Sequence, residues 1–201
     1  MSIQKLLAEL IGTFALTFIV LLSATNISII PTPVLAGLTL GLFVYTIGSI
    51  SGCHINPAVT IGLLSLNKIK MAEALQYIAA QLLGAVIATG TLMAIGGSFQ
   101  TIPELHHWSV ALGEGFGAAI FTFGIASVVL EKVHSAASGL VIGGSLLLGS
   151  LFASFIGAPG ILNPAVALGL SSLSVETFLG PIIGSLVGMQ TYKYLLTEKK
   201  K

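Results

Sequence analysis

The octapeptide Asn56-Pro57-Ala58-Val59-Thr60-Ile61-Gly62-Leu63 returns later in the chain as Asn163-Pro164-Ala165-Val166-Ala167-Leu168-Gly169-Leu170, with six of eight positions identical. Each copy reads as a helix start. Asparagine is a good N-cap, and proline is tolerated at the first helical position, where its missing N–H costs nothing. The apolar run after Pro57 extends only to Leu66, about ten residues or ~15 Å of helix. That is half of the roughly 30 Å hydrocarbon core of a bilayer. Two half-length helices opened by the same tripeptide, each set in an apolar chain, predict a pore with its narrow point at mid-membrane.

Composition decides the solvent. With 55% hydrophobic and 7% charged residues and a mean hydropathy of +1.02, the 201-residue chain is too apolar for a soluble domain. It has material for about six spans of about 20 residues. Candidate spans cover residues 4–24, 34–52, 71–96, 109–130, 138–157 and 175–196. One half-length helix lies between the second and third, the other between the fifth and sixth. Residues 26–33 read as a turn. Residues 96–108, with Pro103, Glu104, His106 and His107, form the most polar interior connection and separate two halves. Lys5, Lys68, Lys70, Lys132, Lys193, Lys199, Lys200 and Lys201 all fall on the side that holds both termini. The positive-inside rule then makes both termini cytoplasmic, in a multi-pass protein of a cell membrane. A formal net charge of +1 gives no electrostatic ground for nucleic acid. The single cysteine, Cys53, excludes an internal disulfide and a thiolate metal cluster. The first apolar run lacks a convincing cleavage site and reads as a retained span.

The halves repeat beyond the Asn-Pro-Ala copies. Gly12, Thr17 and Phe18 recur as Gly117, Thr122 and Phe123, with Glu9 and Glu114 three residues before each glycine. Ala36-Gly37-Leu38 and Gly41 recur as Ser138-Gly139-Leu140 and Gly143. Chance similarity among Gly- and Leu-rich spans explains one such pair, not three in the same order. An odd number of crossings per half inverts the second copy relative to the first, the logic of many transport proteins whose site lies where broken helices meet. The fold class that follows is an all-α membrane protein of six transmembrane helices plus two half-helices. It forms one domain over residues 1–201, with inverted repeats at about 1–98 and 106–201.

These motifs resemble the aquaporin, or major intrinsic protein, family. The resemblance is carried by Ala8-Glu9-Leu10-Ile11-Gly12-Thr13-Phe14, by Ser51-Gly52-Cys53-His54-Ile55-Asn56-Pro57-Ala58-Val59-Thr60, by Gly113-Glu114 and by Asn163-Pro164-Ala165, and covers nearly the whole chain. It implies half-helices meeting end to end, a homotetramer with one pore per subunit, and no cofactor. It also implies a supporting role for Glu9 and Glu114, accepting hydrogen bonds from the irregular backbone before each half-helix.

From the residues themselves, each asparagine can satisfy helix N-terminal amides with its carbonyl and turn its NH₂ toward the pore. Asn56 and Asn163 then donate to a passing water or hydroxyl. Both half-helix dipoles aim their positive ends at one place, which disfavours cations and hydronium. Carbonyls of residues 52–55 and 160–162 serve as acceptors lining a wet cavity. His54 is expected in the cytoplasmic vestibule, and Cys53 near the pore mouth, where a thiol reagent could block it. The bland alternative for Cys53 is a small buried apolar residue. A metal-ligand reading of His54 lacks a second ligand at sensible spacing.

Departures from the family pattern concern the outer constriction. Carried over by spacing from the asparagines, its four positions fall on Ala36, Leu151, Gly160 and Val166. Water-selective members present an aromatic, a histidine and an arginine there. This chain has no arginine at all, and the Arg-Asp pair of glycerol facilitators is Val166-Ala167. The expectation is a wide, apolar filter that passes water and small uncharged solutes such as glycerol, urea, hydrogen peroxide or ammonia, or that dewets. Competing classes are an ion-coupled secondary transporter, for which Glu9 and Glu114 are the intramembrane acids, and a structural membrane protein that conducts weakly or not at all. No nucleophile–base set, phosphate loop or metal spacing supports an enzyme.

Overall fold

The computed structural model describes residues 2–24, 29–98 and 107–197. Expectations for Asn26, Pro103, Glu104, His106 and the Lys199, Lys200 and Lys201 tail lie outside the described residues. The described elements are all helical: α1 (Ile3–Ser23), α2 (Thr32–Ser51), α3 (Pro57–Ser65), α4 (Met71–Ala94), α5 (Trp108–Val129), α6 (Ser138–Phe155, entered by a 3-10 turn Ser135–Ala137), α7 (Pro164–Gly169) and α8 (Val175–Thr197). The order long, long, short, long occurs twice.

Five helices, α1, α2, α4, α5 and α6 with its entering turn, are long and apolar enough to cross a membrane. The sixth, α8, has the length at 23 residues but falls outside that set, because the polar Glu176, Gln190 and Lys193 lower its apolarity. Gly180, Gly184 and Gly188 stand one turn apart and face α5, where a Cβ on Gly180 would lie 2.7 Å from the Ala111 carbonyl oxygen. Added methyls on Gly184 and Gly188 would run into the carbonyls of Gly115 and Ala119. Close backbone approach through small residues is how helices associate in lipid, where apolar bulk gives no preference for protein over solvent. The same device crosses α2 with α6, through Gly37 and Gly41 on one and Gly139 and Gly143 on the other.

Polarity is inside out. Glu9, Gln81, Glu114, Thr13, Thr17 and Thr60 are fully buried, while Leu38, Leu140, Phe155 and Ile183 face outward. A lipid solvent accepts that outer surface and offers buried polar groups no water, so most of them pair within the protein, while Thr17 Oγ1, Gln81 Oε1 and Ser185 Oγ have no hydrogen-bond partner among the described residues. The short helices fill the centre. α3 packs on α4 and α8, and α7 packs on α1 and α4, so each half-helix also contacts long helices of the opposite half.

Candidate functional site

The two asparagines clasp each other's loops. Asn56 Oδ1 accepts from Ala58 N–H (2.8 Å), capping α3, and its Nδ2 donates to the Leu162 carbonyl (2.9 Å). Asn163 Oδ1 accepts from the N–H groups of Ala165 (3.0 Å) and Val166 (3.4 Å), capping α7, and its Nδ2 donates to the Ile55 carbonyl (3.0 Å). Each NH₂ thereby spends one hydrogen on the residue before the other asparagine and keeps one. The carbonyls of Ile55 and Leu162, expected as acceptors lining the cavity, thus also hold the halves together.

Ile55 and Leu162 have φ of +40° and +54°. Side chains rarely occupy that left-handed region, least of all a β-branched one. Two anchors hold each residue there. Glu9 Oε2 accepts from Ile55 N–H and Glu114 Oε2 from Leu162 N–H, both at 2.7 Å, while the opposite asparagine holds the carbonyl. Glu9 also accepts from His54 N–H (2.9 Å), Ser51 Oγ (2.6 Å) and Gln81 Nε2 (2.8 Å). Glu114 Oε1 accepts from Ile161 N–H (2.9 Å). The strained residues left no trace in sequence, since neither Ile nor Leu announces a positive φ.

Around this clasp lies a cavity of about 270 Å³. Asn56, Asn163, His54, Ala36, Gly160 and Val166 all line it, within walls that include Leu16, Leu40, Phe121 and Leu146. Pro57, Ala58, Pro164 and Ala165 are buried behind the asparagines as the first turns of α3 and α7. No Lys or Glu is among the described lining residues. Gly160 has φ +70°, and a Cβ there would lie 2.5 Å from the Ser150 carbonyl oxygen, so the fold itself requires glycine at that position.

Two expected site residues stand elsewhere. Leu151 is half-buried and does not line the cavity; Ser150 and Ser154 do. Leu146, Ser150 and Ser154 share one helical face at four-residue steps, and a shift of one residue turns a side chain about 100° away. The α6 contribution at this level is therefore a pair of serines, above Leu146 on the same face, with Ser154 Oγ donating to the Ser150 carbonyl (2.9 Å), and the wall is less apolar than expected. Cys53 is likewise absent from the lining. It is buried in the hydrophobic core with φ +52°, its N–H bound to Ser51 Oγ (3.0 Å), which favours the bland reading. A polar network that sequence reasoning missed joins His54, Thr60 and Gln81 to Glu9.

Residues 1–192 match the family model described as Major intrinsic protein. Aquaporin AqpM of Methanothermobacter thermautotrophicus is 30% identical to the chain, over 97% of this chain and 98% of that protein. Nodulin-26 of Glycine max is 31% identical, over 94% of this chain and 77% of its own length. Among solved structures, the aquaglyceroporin from Plasmodium falciparum is similar with a TM-score of 0.70 at 24% identity, covering 98% of each chain, a likeness of fold.

Proposed function

The chain belongs to the major intrinsic protein family, a family of channels and not of enzymes, and from that premise we propose that it is a passive channel for water and small uncharged solutes. One observation carries the reading: a single cavity runs past Ala36, Gly160 and Val166 and reaches both Asn56 and Asn163. Its volume of about 270 Å³ is far above the roughly 10–15 Å³ that one water needs, so it has room for a solute with several waters. Three small or short side chains at the constriction, with serine hydroxyls and asparagine amides as hydrogen-bonding groups, suit solutes such as glycerol or urea as well as water. The absence of a fixed positive charge leaves cation exclusion to the paired helix ends. The proposal includes a homotetramer in a cell membrane, with both termini cytoplasmic.

The transporter alternative needs an acid facing the solute. Neither Glu9 nor Glu114 lines the cavity, and the loops before the half-helices occupy the oxygens of both. That favours a channel. The test is osmotic shrink–swell of proteoliposomes by stopped-flow light scattering, with sucrose and then glycerol and urea, comparing wild type with Val166→Arg. Wild type is expected to pass water and glycerol well above empty liposomes. The arginine variant is expected to lower glycerol flux relative to water flux, because a guanidinium takes up space in the constriction. Wild-type flux equal to empty liposomes overturns the reading and favours a non-conducting structural protein.

A further inference from the structure

We propose that His54 is held as the Nδ1–H tautomer, so that its Nε2 is a fixed hydrogen-bond acceptor in the channel wall. Thr60 and Gln81 act as the positioning residues that transmit this choice from Glu9. The role assigned to Nε2 rests on the channel reading above; the hydrogen count that assigns the tautomer does not.

The count starts at Glu9, whose two oxygens take the backbone hydrogens of His54 and Ile55 together with Ser51 Oγ and Gln81 Nε2. Ser51 Oγ is itself an acceptor for Cys53 N–H (3.0 Å), which directs its own hydrogen to Glu9. The Gln81 amide can face only one way. Turned over, its oxygen would meet Glu9 Oε2 at 2.8 Å with no hydrogen between them. Both Nε2 hydrogens of Gln81 are thus committed, one to Glu9 and one to Thr60 Oγ1 (3.0 Å).

Thr60 has one hydrogen and two close neighbours besides Gln81: the Asn56 carbonyl oxygen at 3.0 Å and His54 Nδ1 at 3.2 Å. If the hydroxyl pointed at His54, two oxygens would stand 3.0 Å apart in a buried site with no hydrogen between them. Pointing at Asn56 removes that repulsion and gives the usual bond of a helical threonine to the carbonyl four residues back. The remaining contact then holds a hydrogen only if His54 Nδ1 supplies it. Every short contact in the network is satisfied by this arrangement and not by the other.

Among the described residues the ring's other nitrogen has no hydrogen-bond partner. His54 lines the cavity and packs edge-on against Tyr77, with ring centroids 5.0 Å apart. Gly52 lies beside Nε2, where a Cβ would stand 3.2 Å from it, so the missing side chain keeps that nitrogen clear. A solute in the cavity therefore meets donors at Asn56 and Asn163 and an acceptor at His54. The network behind His54 ends on the Asn56 carbonyl and the four-fold-occupied Glu9 carboxylate, which gives a proton arriving at Nε2 no onward acceptor.

The tautomer is read by solid-state NMR on ¹⁵N,¹³C-histidine protein in lipid bilayers, under mildly alkaline conditions where imidazole is neutral. His106, His107 and His134 are replaced by asparagine so that His54 reports alone. The expected spectrum has Nδ1 protonated and Nε2 at the downfield position of a bare imidazole nitrogen. Thr60→Val is expected to abolish the downfield Nε2 signal by moving the proton to Nε2, and Thr60→Ser to restore it. A protonated Nε2 in the protein with Thr60 intact overturns the proposal, as does a Thr60→Val spectrum unchanged from it. Shrink–swell on the same vesicles separates the two readings. An Nδ1–H tautomer without solute flux sinks the channel alone, and flux with a protonated Nε2 sinks the tautomer alone.

Discussion

Glu9 and Glu114 occupy matching places before the two half-helices, yet their surroundings differ. Glu9 binds two side chains, Ser51 and Gln81, besides the backbone of His54 and Ile55. Glu114 grips the loop backbone at Ile161 and Leu162. Replacing a carboxylate by an amide turns one acceptor oxygen into a donor that faces donors, and each buried donor orphaned in this way costs about 1–3 kcal/mol. Two donors meet each oxygen of Glu9. Glu9→Gln is therefore expected to destabilise by about 2–6 kcal/mol and Glu114→Gln by about half that. Thermal unfolding midpoints of the purified variants in one detergent decide it, and a larger drop for Glu114→Gln would contradict the account. Both substitutions also loosen a residue held at positive φ, so the strained Ile55 or Leu162 is expected to relax first.

Among the helices, glycine position matters more than glycine content. Gly143 and Gly144 are neighbours in α6, but a Cβ on Gly143 would strike the Gly37 carbonyl of α2, while one on Gly144 meets nothing within 4 Å. Gly143→Ala is expected to force the α2–α6 crossing apart, at about 1–3 kcal/mol for overpacking. Gly144→Ala is expected to be neutral or to stabilise by about 0.5–1 kcal/mol, since glycine weakens a helix interior relative to alanine. Equal unfolding midpoints for the two variants would refute the close crossing. Half-helix α7 spans only six residues, Pro164–Gly169, against nine in α3, and the Asn163 cap and its contacts with α1 and α4 hold it in place.

For the molecule as a whole, the described lysines gather at one end. Lys5 at the start of α1 pairs with Glu73 at the start of α4 (2.9 Å), Lys68 and Lys70 precede α4, Lys132 follows α5, and Lys193 lies in the last turns of α8. Positive charge of this kind is retained on the cytoplasmic side during insertion. In a Cys53→Ser background, Lys132→Cys is expected to react with a membrane-impermeant maleimide only after the inner face is opened. Leu173→Cys, beyond α7 at the opposite end, is expected to react in intact cells. Labelling of Lys132→Cys from outside would reverse the orientation.

Near neighbours in sequence determined much of this. The asparagine caps, the proline starts, the long apolar spans and the pairing of Glu9 with Glu114 rest on local chemistry that any fold of the chain must respect. Tertiary structure decided the rest. Whether Leu151 or Ser150 meets the cavity depends on the rotation of α6, set by its glycine crossing with α2, and a single residue of register moves a side chain to another face. Cys53 lies in the core rather than at the pore mouth, within a loop that turns through positive φ, as its buried-residue reading anticipated. The carbonyls of Ile55 and Leu162 also became clasps between the halves because the opposite asparagine, more than a hundred residues away, reaches them. Caps and periodicity are properties of one segment, whereas rotation, register and hydrogen bonds between the halves exist only once the described helices are packed together.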